Sequence, residues 1–379
     1  PAVRDQLSER LPNAALARAA QELDTDDAAY VLESLEPQDR EEVLSQIPDE
    51  GDRAVLERAL EYPEETAGRI MQPDVVAVAP FWTVGHVIDH MREAEDLPDS
   101  FQEIYVVDPG HKVLGAVDLS RLLRTKRHVP VTEIMDPDRQ VVLASADQEE
   151  VARQFERYGL MSAPVVDENR RLVGVVTVDD VVEVIEQEAE EDIKALAGVG
   201  DERLSDTVRQ IAGSRFWWLL VNLGTAILSS TIIRTFGATI EQMVALAALM
   251  PIVASMGGNA GTQTMTVTVR AIATRELNPA NTLRVVLREV SVGLLNGLLF
   301  ALILGLVVLA LFGIGKLSLV IGVAMVVNML AAALAGIFIP LALDRLDYDP
   351  AVSSTVFVTA ITDVVGFVAF LGLASMVLV

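Results

Sequence analysis

The chain changes its hydrophobic pattern near residue 216. From there on it reads as five long apolar runs, Phe216–Ile233, Met243–Val269, Val290–Ile314, Leu317–Leu343 and Ala351–Val379. Each supplies about the twenty residues that a helix needs to cross a ~30 Å hydrocarbon layer. The pattern predicts five membrane helices at about 216–234, 242–270, 284–314, 317–344 and 350–379. Before residue 216 the pattern is that of a water-soluble protein. Short β-branched runs alternate with amphipathic stretches at Val84–Arg92 and Gln148–Tyr158, which predict an α/β fold. Residues 1–65 predict short acidic helices, with a capping signal at Asp24-Thr25-Asp26-Asp27 and breaks at Pro37 and Pro48.

The α/β region repeats. Met71-Gln72-Pro73-Asp74 returns as Met135-Asp136-Pro137-Asp138, and Val106-Val107-Asp108 with Val113-Leu114-Gly115 returns as Val165-Val166-Asp167 with Leu172-Val173-Gly174. The first landmark recurs at a distance of 64 and the second at 59, so the first copy carries about five extra residues near Glu95–Phe101. Two such units bury a shared sheet face. They resemble a tandem pair of CBS domains, a regulatory module.

Charge separates the same two halves. The net charge is −25, from 29 basic and 54 acidic residues; seven of each lie from Phe216 onward, so the whole excess falls on residues 1–215. Such acidity argues against nucleic acid and anionic lipid as partners and is compatible with divalent cations. With no cysteine, disulfides, thiolate metal sites and cysteine nucleophiles are excluded. The chain opens on Pro1, which suggests that its natural N-terminus is missing. Arginines cluster in alternate loops of the apolar half, so the positive-inside rule places the N-terminal half in the cytoplasm and the C-terminus outside the cell membrane. Trp217 and Trp218 fall where a first span would enter that membrane.

Three places carry candidate chemistry. Asp363 is the one ionisable residue of the last apolar run, in Thr359-Ala360-Ile361-Thr362-Asp363-Val364-Val365-Gly366. A carboxylate at mid-membrane depth costs roughly 2.5–3.5 kcal/mol, and one beside hydroxyls and carbonyls suits a hard cation. Pro251 to Gln263 breaks the second run with Gly257, Gly258, Asn259 and Gly261, which fits either a tight helix–helix seam or a pore lining. Glu188, Glu191 and Asp192 share one helical face ahead of the first span. Asn296 and Asn328 read as interhelical hydrogen-bonding amides. His86 and His90 stand four apart, but without an HExxH pattern they read as a surface pair, against a membrane metalloprotease. No GxxxxGK[ST] loop is present, which disfavours an ATP-driven pump.

This order of parts resembles the MgtE family of magnesium channels and transporters. The resemblance covers essentially the whole chain and is carried most closely by Pro251–Gln263 and Thr359–Gly366. It implies a multidomain membrane protein and no enzyme. Residues 1–66 would be a shortened helical domain, 67–130 and 131–187 the α/β CBS domains, 188–215 an acidic connecting or plug helix, and 216–379 an all-α domain of five transmembrane helices. It implies a homodimer with a pore on its two-fold axis, where Asp363 and the Thr359 backbone carbonyl hold Mg2+. Gly257, Gly258, Asn259, Thr355 and Gly366 would line the pore; family members can carry asparagine where this chain has Thr355. The regulatory Mg2+ ligands would be Asp180, Glu183, Glu188, Glu191 and Asp192. Gly174-Val175-Val176-Thr177-Val178-Asp179-Asp180 also fits the CBS pattern in which Thr177 and Asp180 hold an adenine nucleotide such as ATP. The rival reading is a nucleotide-regulated anion channel or secondary transporter with CBS sensors. It calls for positive groups in the membrane, where this chain has Asp363.

Overall fold

The computed structural model describes residues 11–378 apart from 34, 36, 95, 96, 99, 200, 201, 203–206, 279 and 347, and only the backbone of 352–354. The extra residues expected near Glu95–Phe101 therefore lie partly outside the described residues. The chain divides after Ala189 into two compact units.

Among the described residues, the first unit opens with four short helices: α1 Asn13–Glu22, α2 Thr25–Glu33, α3 Pro37–Ser45 and α4 Glu50–Glu61. Pro37 starts α3 at the position where its missing N–H costs nothing, and Asp49 caps α4 by accepting from the Gly51 and Asp52 amides. Leu16, Ala28, Leu32, Val43 and Leu56 close a small core.

Two matched α/β units follow. The first has β1 Ala77–Val78, α5 Val84–Glu93, β2 Glu103–Val107, β3 Val113–Asp118 and α6 Leu119–Leu123. The second has β4 Val142–Leu143, α7 Gln148–Tyr158, β5 Ser162–Val166 and β6 Leu172–Thr177. Each sheet orders its strands 1-2-3, with a parallel first pair and an antiparallel second pair. The repeat landmarks are exchanged between the copies. Gln72 pairs with Val175 of the second copy and Asp136 with Ala116 of the first. The landmark glycines permit this approach: a Cβ on Gly115 would lie 2.5 Å from the Asp136 carbonyl oxygen, and one on Gly174 2.7 Å from that of Gln72. The two copies thus fold as one body around this exchange.

Helix α8, Val178–Leu196, grows directly out of β6. It ends well before the expected 215. Gly198 adopts a left-handed backbone (φ 71°), and a capping box between Thr207 and Gln210 starts a fresh helix. That helix, α9 Val208–Thr235, already contains the first apolar run, so the polar residues 208–215 belong to it.

The second unit continues with α10 Gly237–Gln242, α11 Ala245–Ala273, α12 Thr282–Phe312, α13 Gly315–Asp344 and α14 Pro350–Val377. Among the described residues, four helices, α9, α12, α13 and α14 (from Thr355 on), are long and apolar enough to cross a membrane. The expected second span is 29 residues long as α11, but its glycines, Asn259, Gln263 and threonines dilute its hydropathy. Its buried face recurs at Leu246, Leu249, Val253, Gly257, Gly261 and Met265, and it lies against α13 and α14 through small residues. A Cβ on Gly336 of α13 would lie 2.8 Å from the Gly261 carbonyl oxygen, so these two backbones touch.

Candidate ion and sensor sites

Asp363 sits midway along α14, half-buried, and no hydrogen bond or ion pair to it is found among the described residues. Thr362 beside it is fully buried and turns its hydroxyl back to donate to the Thr359 carbonyl at 2.9 Å. That carbonyl, an expected ion ligand, lies inside α14 and also receives the intrahelical N–H four residues on; its residue is exposed. Gly258 of α11 stands by Thr359: a Cβ there would meet the Thr359 methyl at 4.0 Å. The neighbouring Asn259 is exposed.

Two of the expected pore-lining positions lie in a packed seam. Gly257 and Gly366 are both buried beneath the Asn328 side chain, where a Cβ would lie 2.2 Å and 2.8 Å from its amide nitrogen. They are close-packing positions within one chain. Neither spacing nor residue type separates a glycine that opens a pore from one that admits a neighbour. The seam reading of the glycine-broken run is therefore the one these two residues take.

Thr355, whose role the sequence left in doubt, is engaged. Its hydroxyl donates to the Leu196 carbonyl at 2.9 Å, at the end of α8. Ala195 and Leu196 pack there against Met265 and Val269 of α11 and Ala351 and Val358 of α14. The last carbonyls of a helix lack intrahelical donors, and Thr355 supplies one.

In the first unit, Asp180 lies in the first turn of α8. It accepts from the Thr177 amide (3.2 Å), the Thr177 hydroxyl (2.6 Å) and the Gln72 amide group (3.5 Å). Its neighbour is a residue that the sequence marked only as a cap. Asp26, in the first turn of α2, stands against Asp180, and burial followed by the Asp180 charge pushes its pKa up to about 7. Burial also raises Asp180, although the bonds from Thr177 oppose the shift. The Asp26 Oδ1 atom is buried without a hydrogen-bond partner among the described residues. Two half-buried carboxylates, one with an orphaned oxygen, suit a hard divalent cation, which replaces the proton that otherwise neutralises the pair.

The other expected regulatory acids spread along α8. Glu183 accepts from Gln187 at 3.3 Å, and Glu188 accepts from Gln148 at 2.8 Å, with burial raising its pKa. Glu191 is exposed and Asp192 half-buried. Among the described residues, no three His, Asp or Glu side chains converge as a metal site within this chain. His86 and His90 are separately occupied, one against the Thr83 hydroxyl and the other edge-on to Trp82.

A cleft of about 490 Å³ opens by the first α/β copy, lined by Phe101, Glu103, Asp118, Ser120, Arg139 and Met161 among others. Its one arginine is already paired with the buried Glu103, whose other oxygen accepts from Ser162 at 3.0 Å.

A helical module, an exchanged α/β pair and a bundle of long apolar helices define the class: a multidomain membrane protein with a CBS pair. Residues 250–373 match the model of the MgtE divalent cation transporters, 67–128 and 131–187 that of the CBS domain, and 1–65 that of the MgtE intracellular N domain. The magnesium transporter MgtE of Thermus thermophilus is 36% identical over 93% of this chain and 79% of its own length. That of Bacillus subtilis is 31% identical over 94% and 79%. Among solved structures, the cytosolic domain of the Mg2+ channel MgtE in complex with ATP is 36% identical, covering 48% of this chain and 73% of that one with a TM-score of 0.44. The chain belongs to the MgtE family.

Proposed function

We propose that this chain forms a Mg2+-gated Mg2+ channel or transporter in the cell membrane, as a homodimer with cytoplasmic N-terminal domains and an extracytoplasmic C-terminus. The relatives' magnesium transport supports the ion. The observation that carries the pathway is Asp363, a half-buried carboxylate on an apolar helix with no partner among the described residues. Mg2+ keeps most of its waters and is usually held by one or two carboxylates. Two symmetry-related Asp363 groups with the Thr359 carbonyls meet that need without a full protein cage. Moving a divalent charge through 100 mV is worth about 4.6 kcal/mol, enough to accumulate the ion on the order of a thousandfold. Uptake then needs no pump, and it needs a brake.

The brake in this reading is the acidic unit. When cytoplasmic Mg2+ is high, the ion binds between Asp26 and Asp180, and others bind at Glu183, Glu188, Glu191 and Asp192 of α8. Binding favours the compact state in which the end of α8 rests on α11 and α14. When Mg2+ is low, the like charges separate and that end is released. In this reading Asp180 serves the cation together with Asp26. An adenine nucleotide is better accommodated in the cleft beside Asp118 and Ser120, which offer a carboxylate and a hydroxyl to a ribose. Mg2+ entry into liposomes reports the pathway. Asp363→Ala should abolish it, and undiminished entry would remove the assignment. Tryptic protection of the full chain by Mg2+ reports the brake, and Asp180→Asn should weaken it.

A further inference from the structure

Helix α13 is the most buried helix of the second unit, and its centre carries one polar side chain, Asn328, which is fully buried. Its Nδ2 donates to the Val253 carbonyl of α11 at 2.8 Å, while its Oδ1 has no hydrogen-bond partner among the described residues. A buried amide left half-satisfied is disfavoured in an apolar bundle. The room for it is made by glycines on two other helices, Gly257 of α11 and Gly366 of α14. One amide thus occupies a hollow shared by three helices. A purely apolar contact would fill the same space with alanines and a leucine at no polar cost.

The hollow lies next to the ion-binding turn. Gly366 follows Asp363 by three residues, about 60° round α14. Gly257 precedes Gly258, which stands against Thr359. Any rotation or slide of α14 on α11 carries Gly366 off the amide, and with it Asp363 and the Thr359 carbonyl. We propose that Asn328 is a positioning residue for ion selection: seated in the Gly257–Gly366 hollow and bonded to Val253, it fixes the rotation and depth of α14. It thereby fixes the distance between the two Asp363 carboxylates of a dimer. This inference rests on the assignment of Asp363 to the ion path.

The shape of the hollow gives the test. Asn328→Ala removes the amide and leaves space; Gly366→Ala drives a methyl to 2.8 Å from the amide nitrogen. In the double variant the new methyl enters the vacated space, so packing is restored and the bond to Val253 is not. Liposome entry of Mg2+, Ca2+ and Co2+ is measured for each at matched dimer content, alongside Asp363→Ala. With Mg2+ entry abolished in Asp363→Ala, the proposal expects the Mg2+ to Ca2+ entry ratio to fall at least fivefold in Asn328→Ala. It expects the ratio to stay low in the double variant even where its stability recovers. A wild-type ratio in both, with only fewer active dimers, would overturn it and leave Asn328 as packing. Should Asn328→Ala fail to fold, Asn328→Leu keeps a similar volume and removes the donor without adding a charge, and the same ratio decides. If Asp363→Ala conducts Mg2+ as the wild type does, the ion-path assignment fails first and takes this inference with it.

Discussion

Thr355→Val removes one hydroxyl and almost no volume, and that hydroxyl holds the end of α8. In the structure it donates to the Leu196 carbonyl at 2.9 Å, in a setting closed by Ala195, Met265, Val269, Ala351 and Val358. Net, a neutral hydrogen bond of this kind contributes about 0.5–1.5 kcal/mol. In the proposed brake the bond exists only while α8 rests on α11 and α14, so its loss falls entirely on the closed state. At about 1 kcal/mol the closed-to-open ratio declines roughly fivefold per subunit, and on the order of thirtyfold if both subunits of a dimer must release together. Leu196 also loses the donor that its terminal carbonyl lacks within the helix, which places the value in the upper part of that range. The assay is Mg2+ entry into liposomes or patches against internal Mg2+. The concentration that half-closes the pore should rise several-fold in Thr355→Val, with maximal flux at low internal Mg2+ unchanged. Thr355→Ser, which keeps the hydroxyl, should close as the wild type does. Identical closing curves for Thr355→Val and wild type would refute the idea that this contact stabilises closure.

Three further outcomes follow from the first unit. Asp26→Asn or Asp180→Asn removes the repulsion within the carboxylate pair, so the Mg2+-free protein should melt higher while the Mg2+-induced rise in Tm shrinks. A full-sized Mg2+ shift in both variants would exclude the pair as a cation site. Glu33 is raised to about 7 by burial and then by its hydrogen bond with Glu64, against the opposing charge of Arg69. Its native pKa lies above the unfolded 4.5, so its contribution is fully present below pH 4.5 and is lost as pH rises through about 7. Glu33→Gln should flatten the loss of thermal stability between pH 4.5 and 7, by less than a buried group would because Glu33 is partly solvated. Arg139→Ala leaves the Glu103 carboxylate, 4% exposed, without its counter-charge. Loss of a buried partner typically costs about 3–5 kcal/mol, so the CBS pair should lose cooperative unfolding by calorimetry, whereas Glu103→Gln with Arg139→Met together should recover most of it.

Much of this architecture was legible because it is periodic. The helix expected at Gln148–Tyr158 forms with those bounds, and the repeat landmarks identify the pair of sheets. What the landmarks could not reveal is the exchange: a repeat says that two copies exist, not that Gln72 of one pairs with Val175 of the other. The break between α8 and α9 was hidden in a stretch of even composition, where one glycine in a left-handed conformation and a capping box decide it. Asp363 stood out as a lone charge in an apolar run. Asp26 did not, since its partner Asp180 lies far away in sequence and its own surroundings look like an ordinary helix start. Gly257 and Gly366 show the limit of reading glycines by type. Both were marked by sequence, and only their shared neighbour Asn328 shows what they are for.

The central claim is that a pair of Asp363 carboxylates carries Mg2+ down its electrochemical gradient. Its most direct test is the initial rate of Mg2+ entry into liposomes holding wild type or Asp363→Asn, with an imposed potential of about 100 mV and low internal Mg2+. The wild type should accumulate Mg2+ far beyond the external concentration, and the asparagine variant, equal in shape and lacking the charge, should lose entry at every potential. Equal entry in the two would contradict the account.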